Sequence, residues 1–132
     1  MKTAIREVSG WLLDQLSDVP DKIRAVYVEW GRSYLEPNTP REVVLVYMDA
    51  FGSEGFSKGG FDRSDPDDLA RLGDFDWEAR SGLRLREAEY PGLNWTDVLK
   101  QAAATAKVRK LVRSRNLLLL VGYHDDAVYD VS

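Results

Sequence analysis

The sequence predicts an α+β fold built as one domain over residues 1–132: an antiparallel or mixed sheet of five to six strands, with helices packed mainly on one face. Three observations carry that expectation. The longest helical pattern, which begins at Asn94, leads directly into the most apolar run, Leu117 to Val121. Four leucines and a valine entering from a helix belong in the middle of a sheet, covered by the rest of the chain. Residues 22–34 and 42–50 are rich in β-branched and aromatic side chains, and Glu36-Pro37-Asn38-Thr39-Pro40 between them has turn chemistry, so a long hairpin is expected. Finally, a chain of 132 residues buries roughly two-thirds of its unfolded surface in a single core, and no repeat, low-complexity tract or linker divides it.

Taken in order, residues 3–17 read as an amphipathic helix. Ile5, Val8, Leu12 and Leu16 recur at i, i+3, i+4 spacing with Trp11 at the margin, and the pattern ends before Pro20. In the second arm of the hairpin, Val43 to Met48 is apolar at both parities, which predicts burial on both faces. Gly31 marks a candidate bulge. Residues 51–61, FGSEGFSKGGF, hold four glycines and three phenylalanines and read as a loop. Ser64-Asp65-Pro66-Asp67-Asp68 starts a short helix, because a capping side chain, a first-turn proline and acids at the positive end of the dipole coincide there. Gly73 ends it. Residues 74–79 and 83–90 suit a second hairpin about Ser81-Gly82, with Phe75, Trp77 and Ala79 on one face, although residues 86–90 fit a helix equally well.

The pattern after Asn94 contains a break. At about 100° per residue, Trp95, Val98, Leu99, Ala102 and Ala106 form one stripe, and Ala104, Val108, Leu111 and Val112 form another roughly 150° away. One straight helix cannot bury both against one sheet. A helix over 94–104, a kink near Thr105, which can cap the second piece, and a further helix to about Arg113 are therefore expected. Lys107, Arg109, Lys110, Arg113 and Arg115 then gather toward the C-terminal end, where cations offset the dipole. Residues 127–131 return as an edge strand after a polar turn at His124-Asp125-Asp126.

Composition removes several functional classes. The chain is 44% hydrophobic and 30% charged, as soluble globular proteins are, and has no cysteine. A disulfide framework, a zinc ribbon and a thiol nucleophile are thus excluded. Arg6, Glu7 and Asp14 interrupt the N-terminal apolar segment, so a signal peptide is not expected, and no stretch approaches the length of a membrane span. The expected compartment is the cytoplasm. The net charge of −4 disfavours nucleic acid as a partner.

No motif defines a chemistry. The glycine loop follows a strand and contains Lys58, and glycine-rich backbone can hold an anion, but it spells neither GxxxxGK[ST] nor GxGxxG. Asp62, Asp65, Asp67 and Asp68 lack the glycine and distal glutamate of a calcium loop, so helix capping explains them and no metal or other cofactor is expected. His124, the single histidine, stands beside two aspartates without a nucleophile elbow and reads as a turn residue.

The charge distribution is more informative. Residues 49–78 carry nine acids against the three bases Lys58, Arg63 and Arg71, whereas residues 107–115 carry five bases and no acid. Dipole complementation together with pairing to the acids of residues 62–78 is the simple structural account of the basic cluster. The functional expectation is a small acidic, non-catalytic protein-binding domain, of the toxin-neutralising or immunity type, whose partner is another protein. Its contact residues would be Phe56, Lys58, Asp62, Asp65, Asp67 and Asp68, with a basic partner the best electrostatic match. A small enzyme or phosphate-binding protein using loop 52–62 is the alternative.

Overall fold

A computed structural model describes residues 1–21, 23, 25–31, 41–48, 75–85, 92–123 and 128–132 of the chain. In order these form α1 (Lys2–Ser17), β1 (Ala25–Gly31), β2 (Arg41–Met48), β3 (Phe75–Leu85), α2 (Trp95–Ala103), α3 (Ala106–Ser114), β4 (Leu118–Tyr123) and β5 (Val128–Asp130). The class is α+β with a mixed sheet. Against an expected five to six strands, the described residues form four strands of at least six residues and the three-residue β5, ordered β3-β2-β1-β4-β5.

The first hairpin forms as the sequence suggests, with β1 antiparallel to β2 from Val26 opposite Tyr47 to Gly31 opposite Glu42. β3 continues antiparallel on β2, which leaves it running in the same direction as β1. β4 is parallel to β1, with Ala25 opposite Leu118 and Trp30 opposite Tyr123. A chain leaving β3 must therefore cross the sheet before entering β4, and α2 and α3 make that crossing. β4 lies inside the sheet between β1 and β5, but the central position belongs to β1.

Alternation along the strands sorts the core into two layers. Val26, Val28, Val43, Leu45, Leu119 and Val121 face α1, α2 and α3, and meet Val8, Leu12, Leu16, Trp95, Val98, Leu99, Val108 and Val112. Ala25, Tyr27, Val46, Leu118, Leu120 and Val128 are buried on the opposite face. The two-sided apolar pattern of β2 and the unbroken one of β4 follow from this double burial. In α1 the buried stripe is Ala4, Val8, Leu12 and Leu16. Trp11 packs at its edge.

The break between α2 and α3 falls where the two stripes diverge. Asn94 caps α2 by accepting the Asp97 amide at 3.3 Å. Thr105 has the extended backbone of an N-cap for α3, φ −62° and ψ 147°, but its hydroxyl caps nothing. It donates instead to the Ala102 carbonyl at 2.8 Å, tying the joint back to α2. α3 ends on a left-handed residue, Asn116, with φ 50°. Asn116 N–H bonds the Arg113 carbonyl and Leu117 N–H bonds Val112, both at 3.1 Å, so the last carbonyls are satisfied as the chain swings into β4. Asparagine tolerates that conformation at low cost.

Two expectations are corrected. Residues 75–85 form one strand and no hairpin turns about Ser81-Gly82; those residues lie opposite Leu45 and Val44 in the β2 ladder. The register shift falls between Val46 and Tyr47, which oppose Arg80 and Asp76, so Trp77, Glu78 and Ala79 are the extra residues. A bulge absorbs them while the strand keeps the ladder bonds that a turn would forfeit. Gly31, the candidate bulge, instead pairs in register with Glu42. The expected loop at 51–61, the helix after Ser64, the residues 86–90 and the turn at 124–126 lie outside the described residues.

Arg115 does more than complement a helix dipole. Its guanidinium donates to the Leu16 carbonyl at 2.6 Å, to the Val19 carbonyl, and to Asp21 at 3.2 Å. It thereby closes the C-terminal end of α1 from a residue almost a hundred positions away. Arg115→Met should cost about 1–3 kcal/mol, because charge-assisted bonds to two carbonyls are lost together. Arg115→Lys should recover only part, since an ammonium lacks the planar fork. The Asp21 carboxylate is fully exposed, so Asp21→Ala should leave stability near that of the wild type. Urea unfolding of the three variants checks the order, and an Arg115→Met midpoint equal to the wild-type value would contradict it.

Candidate partner-binding site

The contact residues expected from sequence, Phe56, Lys58, Asp62, Asp65, Asp67 and Asp68, all lie outside the described residues, as does His124. The structure therefore brings none of them to a described position. Within the described residues, two surfaces have the chemistry of a contact.

The first is an aromatic row along the margin of α2. Trp30 and Tyr123 each stand two residues beyond an inward valine, Val28 and Val121, so both point toward the helix layer at the carboxyl ends of neighbouring parallel strands. Their ring centroids are 4.5 Å apart at 48°. The Trp30 indole Nε1 donates to Thr96 Oγ1 at 2.8 Å. One turn further along α2, Lys100 places its Nζ 3.7 Å from the ring centroid of Tyr129, which lies opposite Val121 on β5. Each aromatic is half-buried. The tilted pair and the cation over a ring are each favourable by about 0.5–1.5 kcal/mol, so the row is held in place by its own contacts. Chemically it offers partly exposed aromatic rings with polar tips, residue types found among interface anchors. None of these residues stands out in the sequence, because the row exists only once β4 pairs with β1.

The second surface is the outward side of α3. Val108 and Val112 are buried and Leu111 is half-buried, which turns Lys107, Arg109, Lys110 and Arg113 to solvent. Among the described residues, none of these four is ion-paired. Of the five bases, Arg115 pairs with Asp21, outside the acidic segment that the sequence suggested as partner, and the side chains of that segment lie outside the described residues.

Among the described residues no three acids or histidines gather as a metal site, and no helix is long and apolar enough to cross a membrane. The fold and these surfaces define an α+β domain with a mixed sheet and helices on one described face. No protein family matches the chain, and neither a curated protein nor a solved structure shows significant similarity to it.

Proposed function

We propose that this protein is a cytoplasmic, non-catalytic protein-binding domain of the toxin-neutralising or immunity type, which engages a basic partner through its acidic segment. The observation that carries the reading is the separation of charge in the sequence: nine acids against three bases over residues 49–78 in a chain of net charge −4. Such a segment draws a cationic surface toward it and covers it, the way an inhibitor steers onto a nuclease site. Phe56 supplies an aromatic anchor between glycines, and Lys58, Asp62, Asp65, Asp67 and Asp68 supply the polar contacts around it. The half-buried Trp30, Tyr123 and Tyr129 add contact surface of the residue types that dominate binding energy.

Affinity capture followed by binding kinetics tests the reading. With a basic partner in hand, Asp67→Lys combined with Asp68→Lys should lower the association rate by about tenfold, and added salt should do the same to the wild type. Phe56→Ala should chiefly raise the dissociation rate. An association rate indifferent to salt and to charge reversal would overturn the acidic-segment reading. A melting temperature raised by a nucleotide or metabolite would instead favour a small-ligand site in loop 52–62.

A further inference from the structure

The outward side of α3 has a defined shape. At about 100° per residue, Lys110 stands opposite the buried Val108 and Val112, with Lys107 and Arg113 about 60° to either side of it. Arg109 lies further round on the Arg113 side. Ala106 and Ser114, both exposed, lie one turn before and one turn after Lys110. The face therefore carries small side chains along its crest and cations on both flanks, over about 9 Å of helix axis. Its first turn is open to an anion: Thr105 makes no side-chain cap, no acid is present, and the second residue is Lys107, a cation at the positive end of the dipole. The helix is also firmly placed, since Val108 and Val112 are buried, Thr105 ties its start to α2 and Arg115 bonds its end to α1. Among the described residues none of the four cations is ion-paired.

We propose that α3 lies in the major groove of duplex DNA and holds the phosphates on both sides of the groove without reading sequence. A helix with its side chains is about 10–12 Å across and the groove is about 12 Å wide. Lys110, between small neighbours, then faces the groove floor, Lys107 one strand, and Arg109 and Arg113 the other. Magnitude favours a duplex over an acidic protein as the occupant. An exposed ion pair with an isolated carboxylate gains little, because salt screening and lost side-chain freedom offset it. A phosphate neutralised on a duplex also releases condensed counterions, and that gain recurs at every contact. Duplex RNA is disfavoured by shape, since its major groove is too narrow for side chains to enter. The net charge of −4 opposes any polyanion, but residues 98–123 contain no acid. Repulsion from acids more than about 10 Å away is largely screened at about 0.1 M salt. The contact is separate from the acidic segment and stands whether or not the proposed function does.

Fluorescence anisotropy of a labelled DNA duplex of mixed sequence, titrated with the full chain, tests it. The wild type should bind with a Kd of about 10 µM or tighter at about 50 mM salt, and log K should fall against log salt with a slope of about −3 to −4, the value for four neutralised phosphates. Permuting the DNA sequence should change the Kd by less than about twofold, whereas duplex RNA should bind about tenfold more weakly or worse. Lys107→Gln, Lys110→Gln and Arg113→Gln should each weaken binding by about tenfold at low salt and bring the slope about one unit closer to zero. Lys107→Glu with Arg113→Glu should abolish binding. Circular dichroism checks the fold of each variant, and the single glutamine changes, all at exposed positions, carry the test if the glutamate pair does not fold. No binding of the wild type at about 50 mM salt would overturn the proposal, as would binding that survives every substitution. Equal affinity for duplex RNA would overturn the groove placement. Binding of anionic vesicles, or of poly-glutamate, by a protein that leaves the duplex free would overturn the proposal in favour of a lipid surface or an acidic protein.

Discussion

Trp95→Ala should lower the stability of this protein by about 3–5 kcal/mol, the range for removing a buried aromatic ring from a core. Trp95 is fully buried and is the largest such side chain described. It opens α2 immediately after the Asn94 cap, and it belongs to the cluster between the helix layer and the sheet. The cost should stay near the upper end, because the cap above it and the helix that follows limit how far the cavity can collapse. Trp95→Phe should cost markedly less by keeping most of the apolar volume. Guanidinium unfolding monitored by far-ultraviolet circular dichroism gives both values. A Trp95→Ala midpoint close to that of the wild type would mean that α2 does not pack as described.

Leu119→Ala should cost about 2–5 kcal/mol. Leu119 is fully buried in β4, opposite Val26 in the parallel pair with β1. Its backbone is held on the other side as well, since its amide bonds Ser132 Oγ at 2.7 Å and its carbonyl accepts from the Val131 amide at 2.9 Å. With the backbone fixed on both sides, a truncated side chain leaves a void that the strand cannot move to fill. Leu111→Ala, a half-buried truncation on the flank of α3, should cost clearly less, and the comparison by urea unfolding separates a cavity from a general loss of apolar area. Equal costs at the two positions would remove β4 from the interior of the sheet.

Much of the secondary structure was legible because its signals are local. The two stripes after Asn94 cannot share one face, so the break at Thr105 followed from helical periodicity alone, as did the α1 stripe of Val8, Leu12 and Leu16. The apolar run from Leu118 to Val121 announced an interior strand, and Asn116 is a residue that tolerates the left-handed turn leading into it. Ser81-Gly82 misled for a related reason. A dipeptide with turn chemistry signals only what the backbone can do there, and the free edge of β2 made continued pairing the better outcome.

The candidate site was far less legible. Trp30 and Tyr123 are 93 positions apart in sequence and meet only through the parallel β1–β4 register. Nothing near either residue encodes that pairing. The reach of Arg115 to Leu16 and Val19 is of the same kind: five bases between residues 107 and 115 read as complements to a helix dipole, and only the packing of α3 against α1 aims one of them at the carbonyls that end α1.

By itself, then, the sequence determined α1, the β1–β2 hairpin and the interior strand β4, where the long helical stretch must break, and how its charges are divided between residues 49–78 and 107–115. Those properties rest on caps, on periods of 3.6 and 2, and on composition, each read within a few turns of chain. Tertiary structure decided the strand order, the parallel pairing of β1 with β4, the aromatic row beside α2 and the outward aim of the α3 cations. Each of these depends on contacts between residues far apart in the chain, and their energy exists only once the core has closed.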